Sequence, residues 1–373
     1  MMPSRWAVAV AAGGLMVSVS TIAWAVDLTF TGSGAVEYRA SIGDKSHSLP
    51  QPSSIGIDSL TLEFAQKVVV DVTKDINVNM KVCFGCHGVE LDQGYAEAHV
   101  KDWLSIRTGR FNVPLGEFNV RHDPANFNAP SKPLPYAMGD MLHYRSAEFN
   151  LGIVPTPYSD NGIELFGTFW IAHKILLDYS AYVVRGFVGN NDLNFIDSRQ
   201  YVANKNTPSV GARLVATIGP VSLGGSFSWG YYDPNNRLSY LIYGADLYAR
   251  WRTLTLRGEF IARQTDYDKS LPGYLFKPKE SYFLKAGYYA ELEWTPLTWL
   301  SLLARADGLV RKGMPLPDSA ITEDSAGIVR ATGGVVMRFL GNFMVKAGYE
   351  YWHFYGAPFE DQHVVRTALI FTY

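Results

Sequence analysis

The chain has 373 residues, a formal net charge of −2, 14% aromatic residues and 34 glycines. So small a net charge removes the electrostatic basis for binding nucleic acid. No stretch holds 18 consecutive apolar residues, which excludes a membrane-spanning helix. Abundant aromatic residues and glycines without helical periodicity favour an all-β protein.

The N-terminus, residues 1–25, is predicted to be an export signal peptide. Arg5 supplies a positive charge, and an apolar run follows from Trp6 to Met16. Ala23-Trp24-Ala25 has the small-x-small pattern of a cleavage site, so the mature chain is predicted to be 26–373. A permanent N-terminal anchor is the alternative, but glycines and serines interrupt the apolar run. The signal peptide takes no part in the fold prediction.

The mature chain contains many segments of alternating apolar and polar residues bounded by turn residues. This period of two predicts β-strands with two different faces. The sixteen predicted strands are 27–40, 57–71, 76–83, 89–100, 104–113, 162–172, 174–188, 208–218, 221–232, 239–251, 254–266, 282–294, 299–311, 326–339, 343–354 and 364–373.

The links between these segments alternate between long and short. Links such as 41–56 and 189–207 are long, whereas Gly219-Pro220 and Arg252-Thr253 are short. Transmembrane β-barrels of bacteria have short periplasmic turns and longer external loops. An even number of strands also puts both termini on one side. We therefore predict a transmembrane antiparallel β-barrel of about sixteen strands in the bacterial outer membrane.

Charged residues on one face of each strand are predicted to line a watery lumen, because a charge facing lipid is costly. In 254–263, for example, Leu256 and Phe260 share one face while Arg257 and Glu259 share the other. A soluble barrel with a packed core is the alternative, disfavoured by the export signal. The predicted lumen-lining residues are Arg257, Glu259, Arg263, Lys285, Glu291, Arg305 and Asp307.

Residues 114–161 interrupt the pattern with a long, proline-rich segment that lacks strand periodicity. A loop this long inside a compact domain is uncommon and usually functional. We predict that this third external loop folds inward and constricts the pore. Its charges of both signs are typical of a constriction field. The predicted constriction residues are Arg121, Asp123, Asp140 and Arg145.

Cys83-Phe84-Gly85-Cys86-His87 has the C-x-x-C-H spacing of c-type haem attachment. In that interpretation Cys83 and Cys86 bind the haem and His87 is an axial iron ligand. The alternative is a Cys83–Cys86 disulfide, since these are the only two cysteines and exported proteins meet an oxidising compartment. The sequence favours neither alternative, so haem c remains a candidate cofactor. A structural metal site here lacks an obvious fourth ligand.

The mature chain resembles the sixteen-stranded porins of Gram-negative bacteria. The likeness lies in Glu90–Glu97, in the Gly-Arg-Phe strand and Pro-x-Gly of Ile106–Gly116, and in a final strand that ends on Tyr373. The first two features resemble phosphate-selective-type porins. Unlike those porins, this chain shows no run of lysines on successive inward faces.

The resemblance implies a channel for passive diffusion of small polar or ionic solutes, without enzymatic activity. It also implies contact with outer-membrane lipid, recognition of the last strand by the barrel assembly machinery, and a homotrimer. His122 and Asp123 lack the nucleophile elbow of a hydrolase. The second functional hypothesis is a haem protein built on a barrel that transfers electrons at or across the outer membrane. Fused cytochrome–porins suggest this, although their motif precedes the barrel.

Overall fold

The computed structural model describes most of the chain beyond its N-terminal segment. The described residues are 27–42, 59–85, 88–137, 141–144, 147–150, 152–172, 174–188, 207–266, 268, 282–312, 325–355 and 361–373. Residues 1–25 lie outside this set, so the signal peptide stays a prediction.

Alternating residues form long strands throughout the described chain. The strands are β1 Asp27–Ile42, β2 Ser59–Thr73, β3 Ile76–Phe84, β4 Val89–Lys101, β5 Leu104–Asn112, β6 Met141–Tyr144, β7 Ala147–Asn150, β8 Ser159–Ile171, β9 Ile175–Val184, β10 Ser209–Ile218, β11 Val221–Tyr231, β12 Ser239–Trp251, β13 Leu254–Asp266, β14 Tyr282–Leu297, β15 Leu300–Lys312, β16 Ser325–Phe339, β17 Phe343–Tyr355 and β18 Gln362–Thr372.

Sixteen of these strands close into one antiparallel barrel, as predicted. Each barrel strand pairs with its neighbours in sequence, except that β5 pairs with β8 and that β1 pairs with β18 to close the barrel. The predicted strand boundaries differ from the observed ones by at most four residues. The hairpin β6–β7 within the long loop was not predicted, because four residues are too few to show a period.

The two faces of each strand differ in exposure, as the alternation predicted. On β14, Tyr288, Leu292 and Trp294 point outward and are 42%, 49% and 47% exposed, whereas Tyr289 and Glu291 point inward and are 2% and 3% exposed. The outer surface is therefore an apolar belt suited to lipid, and the charges lie inside.

Barrel closure depends on the first and last strands. β1 pairs with β18 from Ser33 opposite Thr372 onward. The ring of Tyr373 stacks on that of Phe64 at 6.1 Å, and its hydroxyl donates to Gln66. The ring also covers Gly32, where a Cβ atom would lie 2.5 Å from it. The terminal aromatic residue thus packs across the closing seam.

The short links are tight turns gathered at one end of the barrel. Ala172, Arg252 and Leu340 have φ of 50°, 52° and 53°, and Gly219 has φ of 57°. Two-residue hairpin turns need positive φ to match the strand twist. The links from β9 to β10, β13 to β14 and β15 to β16 are much longer, which confirms the predicted alternation.

The segment between β5 and β8 has little regular structure of its own. Three short 3₁₀ helices lie in it, at Asn119–Arg121, Pro124–Asn126 and Leu134–Tyr136. Over the residues that the structure describes, no helix is both long and apolar enough to cross a membrane.

Candidate functional site in the barrel lumen

The segment between β5 and β8 packs apolar side chains against the inner wall of the barrel. Val113, Leu115 and Tyr136 are fully buried, and Phe118 is 1% exposed. The Phe118 ring lies 5.1 Å from that of Tyr136 and 6.4 Å, edge-on, from that of Tyr289 on β14. Each such buried side chain stabilises the fold by about 1.5–3 kcal/mol. The segment is therefore held in place by a small hydrophobic core.

Basic side chains of the wall donate hydrogen bonds to backbone carbonyl oxygens of the same segment. The donor and acceptor residues are Arg263 and Ile153 (2.5 Å), Arg305 and Ser131 (2.7 Å), Arg330 and Lys132 (2.7 Å), and Lys346 and Pro124 (2.7 Å). Irregular backbone carries carbonyl groups that secondary structure does not satisfy, and leaving them buried without partners is costly. The basic residues of β13, β15, β16 and β17 supply those partners.

Acidic side chains of the wall accept hydrogen bonds from the segment. Asp307 accepts from the Leu134 N–H at 3.1 Å, and Glu259 accepts from the Phe118 N–H at 3.2 Å and from the Tyr136 hydroxyl. On this side of the barrel, basic side chains of the wall therefore bind carbonyl oxygens of the loop, and acidic side chains of the wall bind its N–H and O–H groups.

The predicted lumen-lining residues do face inward, but most of them lie beneath the loop and do not line open water. Arg257 is the exception, with a side chain that is 19% exposed and 3.5 Å from Glu293. The other six are almost fully buried: Arg263 0%, Asp307 0%, Arg305 3%, Glu291 3%, Lys285 4% and Glu259 5% exposed. These side chains therefore face inward and are covered by the loop, which strand periodicity could not indicate because it contains no information on what covers a face.

On the opposite wall, a cluster of four charged groups ties the loop to β3 and β4. Lys81 Nζ lies 2.7 Å from Asp92 and 2.5 Å from Asp123 of the loop. His122 Nε2 lies 3.2 Å from Asp123 and 3.7 Å from Asp92. Its Nδ1 atom is 2.8 Å from the carbonyl oxygen of Asn119. We call Lys81, Asp92, His122 and Asp123 the latch cluster.

The two loop residues of the latch cluster are both charged at neutral pH. Burial alone would lower the pKa of His122, but the charge of Asp123 and hydrogen bonds to Asp123 and Asp92 raise that pKa to about 9. Burial alone would raise the pKa of Asp123, but His122 and Lys81 hold it well below its usual range. Two cations therefore face two carboxylates in the cluster.

The same cluster contains three groups with metal-ligating atoms. Ligand atoms of Asp92, His122 and Asp123 lie within 4.8 Å of one another. The ammonium group of Lys81 stands between the two carboxylates, where a bound metal ion would otherwise be attracted. A charge-balanced ion cluster accounts for these contacts without a metal.

A cavity of about 550 Å³ separates the loop from the wall formed by β1 to β5 and β18. Lys67, Lys81 and Arg107 of the wall and Asp123 of the loop are among its lining residues. We call this cavity the basic passage, since three of the four charged side chains at its surface are cations.

The cations of the basic passage differ in how they are paired. The Arg107 guanidinium bridges Glu97 at 2.7 Å and Glu164 at 2.8 Å. Lys67 stands directly opposite Lys81 in the β2–β3 ladder. Over the described part of the chain, Lys67 has no carboxylate within ion-pair distance. Like charges directly opposite each other destabilise a sheet, so this pairing carries an electrostatic cost.

The predicted constriction residues separate into three cases. Asp123 lines the basic passage, next to Lys81. Arg121 bonds Glu117 at 2.5 Å and lies near the Tyr289 hydroxyl of β14, outside the lining of the passage. Asp140 and Arg145 lie outside the described residues, so their placement stays a prediction.

Sequence reasoning missed the lysines of the passage and the basic residues that adjoin in the ladders. Besides Lys67 and Lys81, Arg263, Lys285 and Arg311 stand opposite one another on β13, β14 and β15. The sequence showed no run of lysines on successive inward faces, and the structure adds one adjacent pair, Lys67 and Lys81, and a mixed row of arginine and lysine. These alignments depend on the register between strands, which the sequence does not show.

The C-x-x-C-H motif begins in β3 and ends before β4, and its first three residues, Cys83 to Gly85, belong to the described part of the chain. Cys83 faces inward, is 6% exposed and is disulfide-bonded. The Gly85 N–H donates to the Gly88 carbonyl oxygen at 2.8 Å. A Cβ atom on Gly85 would lie 2.1 Å from the Leu62 carbonyl oxygen, so the backbone leaves no room there. Cys86 and His87 lie outside the described residues, and haem attachment stays a prediction.

Comparison with known proteins shows similarity of fold alone. No protein-family model and no curated relative matches the sequence. Among solved structures, an anion-selective porin from Comamonas acidovorans has a TM-score of 0.57 at 10% identity, covering 93% of this chain and 100% of its own. The outer-membrane channel DcaP of Acinetobacter baumannii has 0.57 at 9%, covering 93% and 97%. OmpF of Salmonella typhi, solved with daunomycin, has 0.58 at 8%, covering 93% and 97%.

Proposed function

We propose that this protein is a passive channel of the bacterial outer membrane that admits small polar or ionic solutes and prefers anions. The observation that carries the proposal is the basic passage, a cavity of about 550 Å³ along one wall of a closed barrel whose other wall is covered by the loop. The fold shared with outer-membrane channels supports the location and the passive mode of transport.

The preference for anions follows from which charges face the passage. Two of the carboxylates that pair with Lys81 and Arg107 lie behind them, with side chains of Asp92 and Glu164 only 4% exposed, so Asp123 is the one acidic side chain among the described lining residues. Lys67 adds a positive charge that has no carboxylate within ion-pair distance among the described residues. A narrow passage lined by one sign of charge concentrates ions of the opposite sign. A permeating anion would also offset the repulsion between Lys67 and Lys81.

Replacing Lys67 with glutamate tests the proposal. In planar bilayers under a salt gradient, the native protein is expected to conduct, and the sign of its reversal potential is expected to indicate a preference for anions. Lys67→Glu is expected to shift that potential toward cations, because two charge units change at the passage wall. Lys74→Glu is the matched control, since Lys74 lies in a short turn with its side chain 90% exposed.

Two outcomes would contradict the proposal. A folded native protein that does not conduct would rule out the channel. Equal reversal potentials for Lys67→Glu and Lys74→Glu would rule out the basic passage as the route of the ions.

For the cysteine motif we propose a Cys83–Cys86 disulfide and no covalent haem, so that electron transfer is not part of the function. The disulfide-bonded state of Cys83 and the close approach of Gly85 to the Leu62 carbonyl oxygen support this choice. Mass spectrometry of protein from the native envelope is expected to show the loss of two hydrogens, restored by reduction. A mass increase of one haem, surviving denaturation, would reverse the choice.

We also propose a homotrimer surrounded by outer-membrane lipid and inserted by the barrel assembly machinery. One of the similar structures, OmpT of Vibrio cholerae, is described as a trimer form. Chemical cross-linking in the native envelope, read on a denaturing gel, is expected to give a ladder that ends at three copies. A ladder that ends at one copy would exclude the trimer.

A further inference from the structure

The outer surface of the barrel carries a shallow apolar groove on its lipid-facing side. Small residues form its floor over three adjacent strands: Ala290 of β14 is opposite Ala306 of β15, which is opposite Ala331 of β16, and Ala304 of β15 is opposite Gly333 of β16. The groove has a volume of about 480 Å³. A Cβ atom on Gly333 would meet no other atom within 4 Å, so the floor is open above it.

Larger side chains form the two walls of this groove. Leu292 of β14 stands on one side, and Tyr349 and Tyr351 of β17 stand on the other. These three side chains are 49%, 46% and 36% exposed, so all of them point outward from the barrel. The groove is thus an elongated apolar depression at the depth of the membrane, bordered by aromatic rings.

One end of the groove meets a polar rim. The Tyr351 hydroxyl donates to Asp361, whose other oxygen lies 2.8 Å from His353 Nδ1. The Tyr349 hydroxyl bonds His363 Nδ1, and the Tyr351 ring lies 5.3 Å from the His363 ring. Asp361 directly precedes β18, whose other end is Tyr373, so this rim lies at the end of the barrel away from the short turns.

The two imidazoles of the rim keep one nitrogen each for a ligand. Both Nδ1 atoms are engaged, whereas neither Nε2 atom has a hydrogen-bond partner among the residues that the structure describes. When Nδ1 of a neutral imidazole accepts from a hydroxyl, as the contact of His363 with Tyr349 allows, the ring proton lies on Nε2, which is then a donor. Phosphate oxygens are the acceptors that such donors suit.

We propose that this groove binds one lipid, with an acyl chain over the small-residue floor and a phosphate-bearing head at His353 and His363. The position of the groove on the lipid-facing surface, its apolar floor and the donors at its outer end together favour an amphiphile over a purely apolar partner. The inference concerns the outside of the barrel and does not depend on whether the lumen conducts.

A matched pair of glycine substitutions tests the acyl-chain part of the proposal. Gly333→Leu fills the floor of the groove. Gly225→Leu places the same side chain on the outward face of β11, where the nearest atom is 3.9 Å from the new Cβ. Folding of both variants is checked by the heat-dependent gel mobility of barrels. Native mass spectrometry in detergent, with dimyristoyl phosphatidic acid as the probe, counts bound lipid.

We expect one tightly held lipid on the native protein and on Gly225→Leu, and binding weakened by about tenfold or more in Gly333→Leu because the acyl chain loses buried area. Equal loss in both variants would overturn the proposal. A second copy of this chain, bound in the native protein and lost in Gly333→Leu, would overturn it in favour of a protein contact.

The role of the head group is tested by removing both imidazoles. For the double variant His353→Ala, His363→Ala, binding of phosphatidic acid is expected to fall to that of dimyristoylglycerol, which lacks the phosphate. Native protein that binds the two lipids equally well would overturn the assignment of the rim to a phosphate.

Discussion

The role of a charged side chain inside this barrel depends on the groups that it contacts. Arg305 and Lys346 donate to loop carbonyls and are buried. Arg107 bridges two carboxylates. Lys67 faces the passage opposite another lysine. A buried charge that loses its partner costs several kcal/mol, so substitution of Arg305 or Lys346 is expected to change stability, whereas for Lys67 we propose a change in ion passage.

A first prediction at this scale separates the two faces of one hairpin. Met80 of β3 points to lipid and is 46% exposed, while Gln93 of β4 lines the basic passage. Met80→Arg is expected to destabilise the inserted barrel by about 2–4 kcal/mol, the penalty for arginine at the bilayer midplane. Gln93→Arg is the control and is expected to insert normally. Folding yield into lipid vesicles measures both, and equal yields would show the faces to be misassigned.

A second prediction concerns pH and the latch cluster. The pKa of His122 is raised to about 9, so its contribution to stability is complete below pH 6.5 and is lost as the pH rises through 9. The pKa of Asp123 is lowered, so its contribution is complete above about pH 4 and is lost in acid. Between pH 6 and 10 the free energy of unfolding of the native protein is expected to fall by at most about 3 kcal/mol more than that of a His122→Gln variant.

Thermal unfolding in detergent at several pH values measures this difference. The midpoints of the native protein and of His122→Gln are expected to converge as the pH approaches 10. Parallel curves over the whole range would show that folding does not raise the pKa of His122 and that the latch cluster does not stabilise its charged form.

At the scale of the element, strands were predictable and the loop was not. A strand shows its period within its own ten residues, so β12 and β13 were predicted to the residue. The place of Phe118 depends on Tyr136 and Tyr289, which are distant in sequence. The existence of a long loop without strand periodicity between β5 and β8 was predictable, and its role as a constriction stays a prediction. Which wall it covers depends on pairings across the barrel that no local pattern contains.

The candidate site was predictable only in part for the same reason. Asp123 was identified because it lies in the loop among other charges. Lys67 and Lys81 lie in ordinary strands, and their importance appears only when the register of β2 and β3 brings them together. Arg305 looked like a pore residue, because a sequence cannot show that Ser131 covers it.

A third prediction tests the loop as an element. Deleting residues 118–153 removes the core around Phe118 and the carbonyl groups bound by Arg263, Arg305, Arg330 and Lys346. Single-channel conductance is expected to rise several-fold, because those inward faces then meet water. Deleting residues 192–204, between β9 and β10, is the control and is expected to leave conductance near the native value. Unchanged conductance after the first deletion would show that the loop does not narrow the pore.

At the scale of the whole molecule, the even number of strands and the grouping of short turns define two ends. Asn235 lies exposed in the link between β11 and β12, at the end with long links, and Asn342 lies exposed in the short turn between β16 and β17. By the rule for bacterial barrels, we predict that the first end faces the exterior and the second faces the periplasm.

A fourth prediction tests this orientation on intact cells. In Asn235→Cys the new thiol is expected to react with a membrane-impermeant maleimide, whereas in Asn342→Cys it is expected to react only after the outer membrane is opened. The native chain is the control for background labelling of Cys83 and Cys86. Labelling of Asn342→Cys alone on intact cells would invert the topology.

The seam between β1 and β18 joins two strands that are more than 300 residues apart in the sequence. Until these two strands have paired, the ring of strands has two free edges, and each edge presents unpaired backbone groups that invite aggregation. Contacts between segments so distant in sequence also form slowly. The unclosed barrel must therefore be kept apart from other chains until β18 has completed the wall.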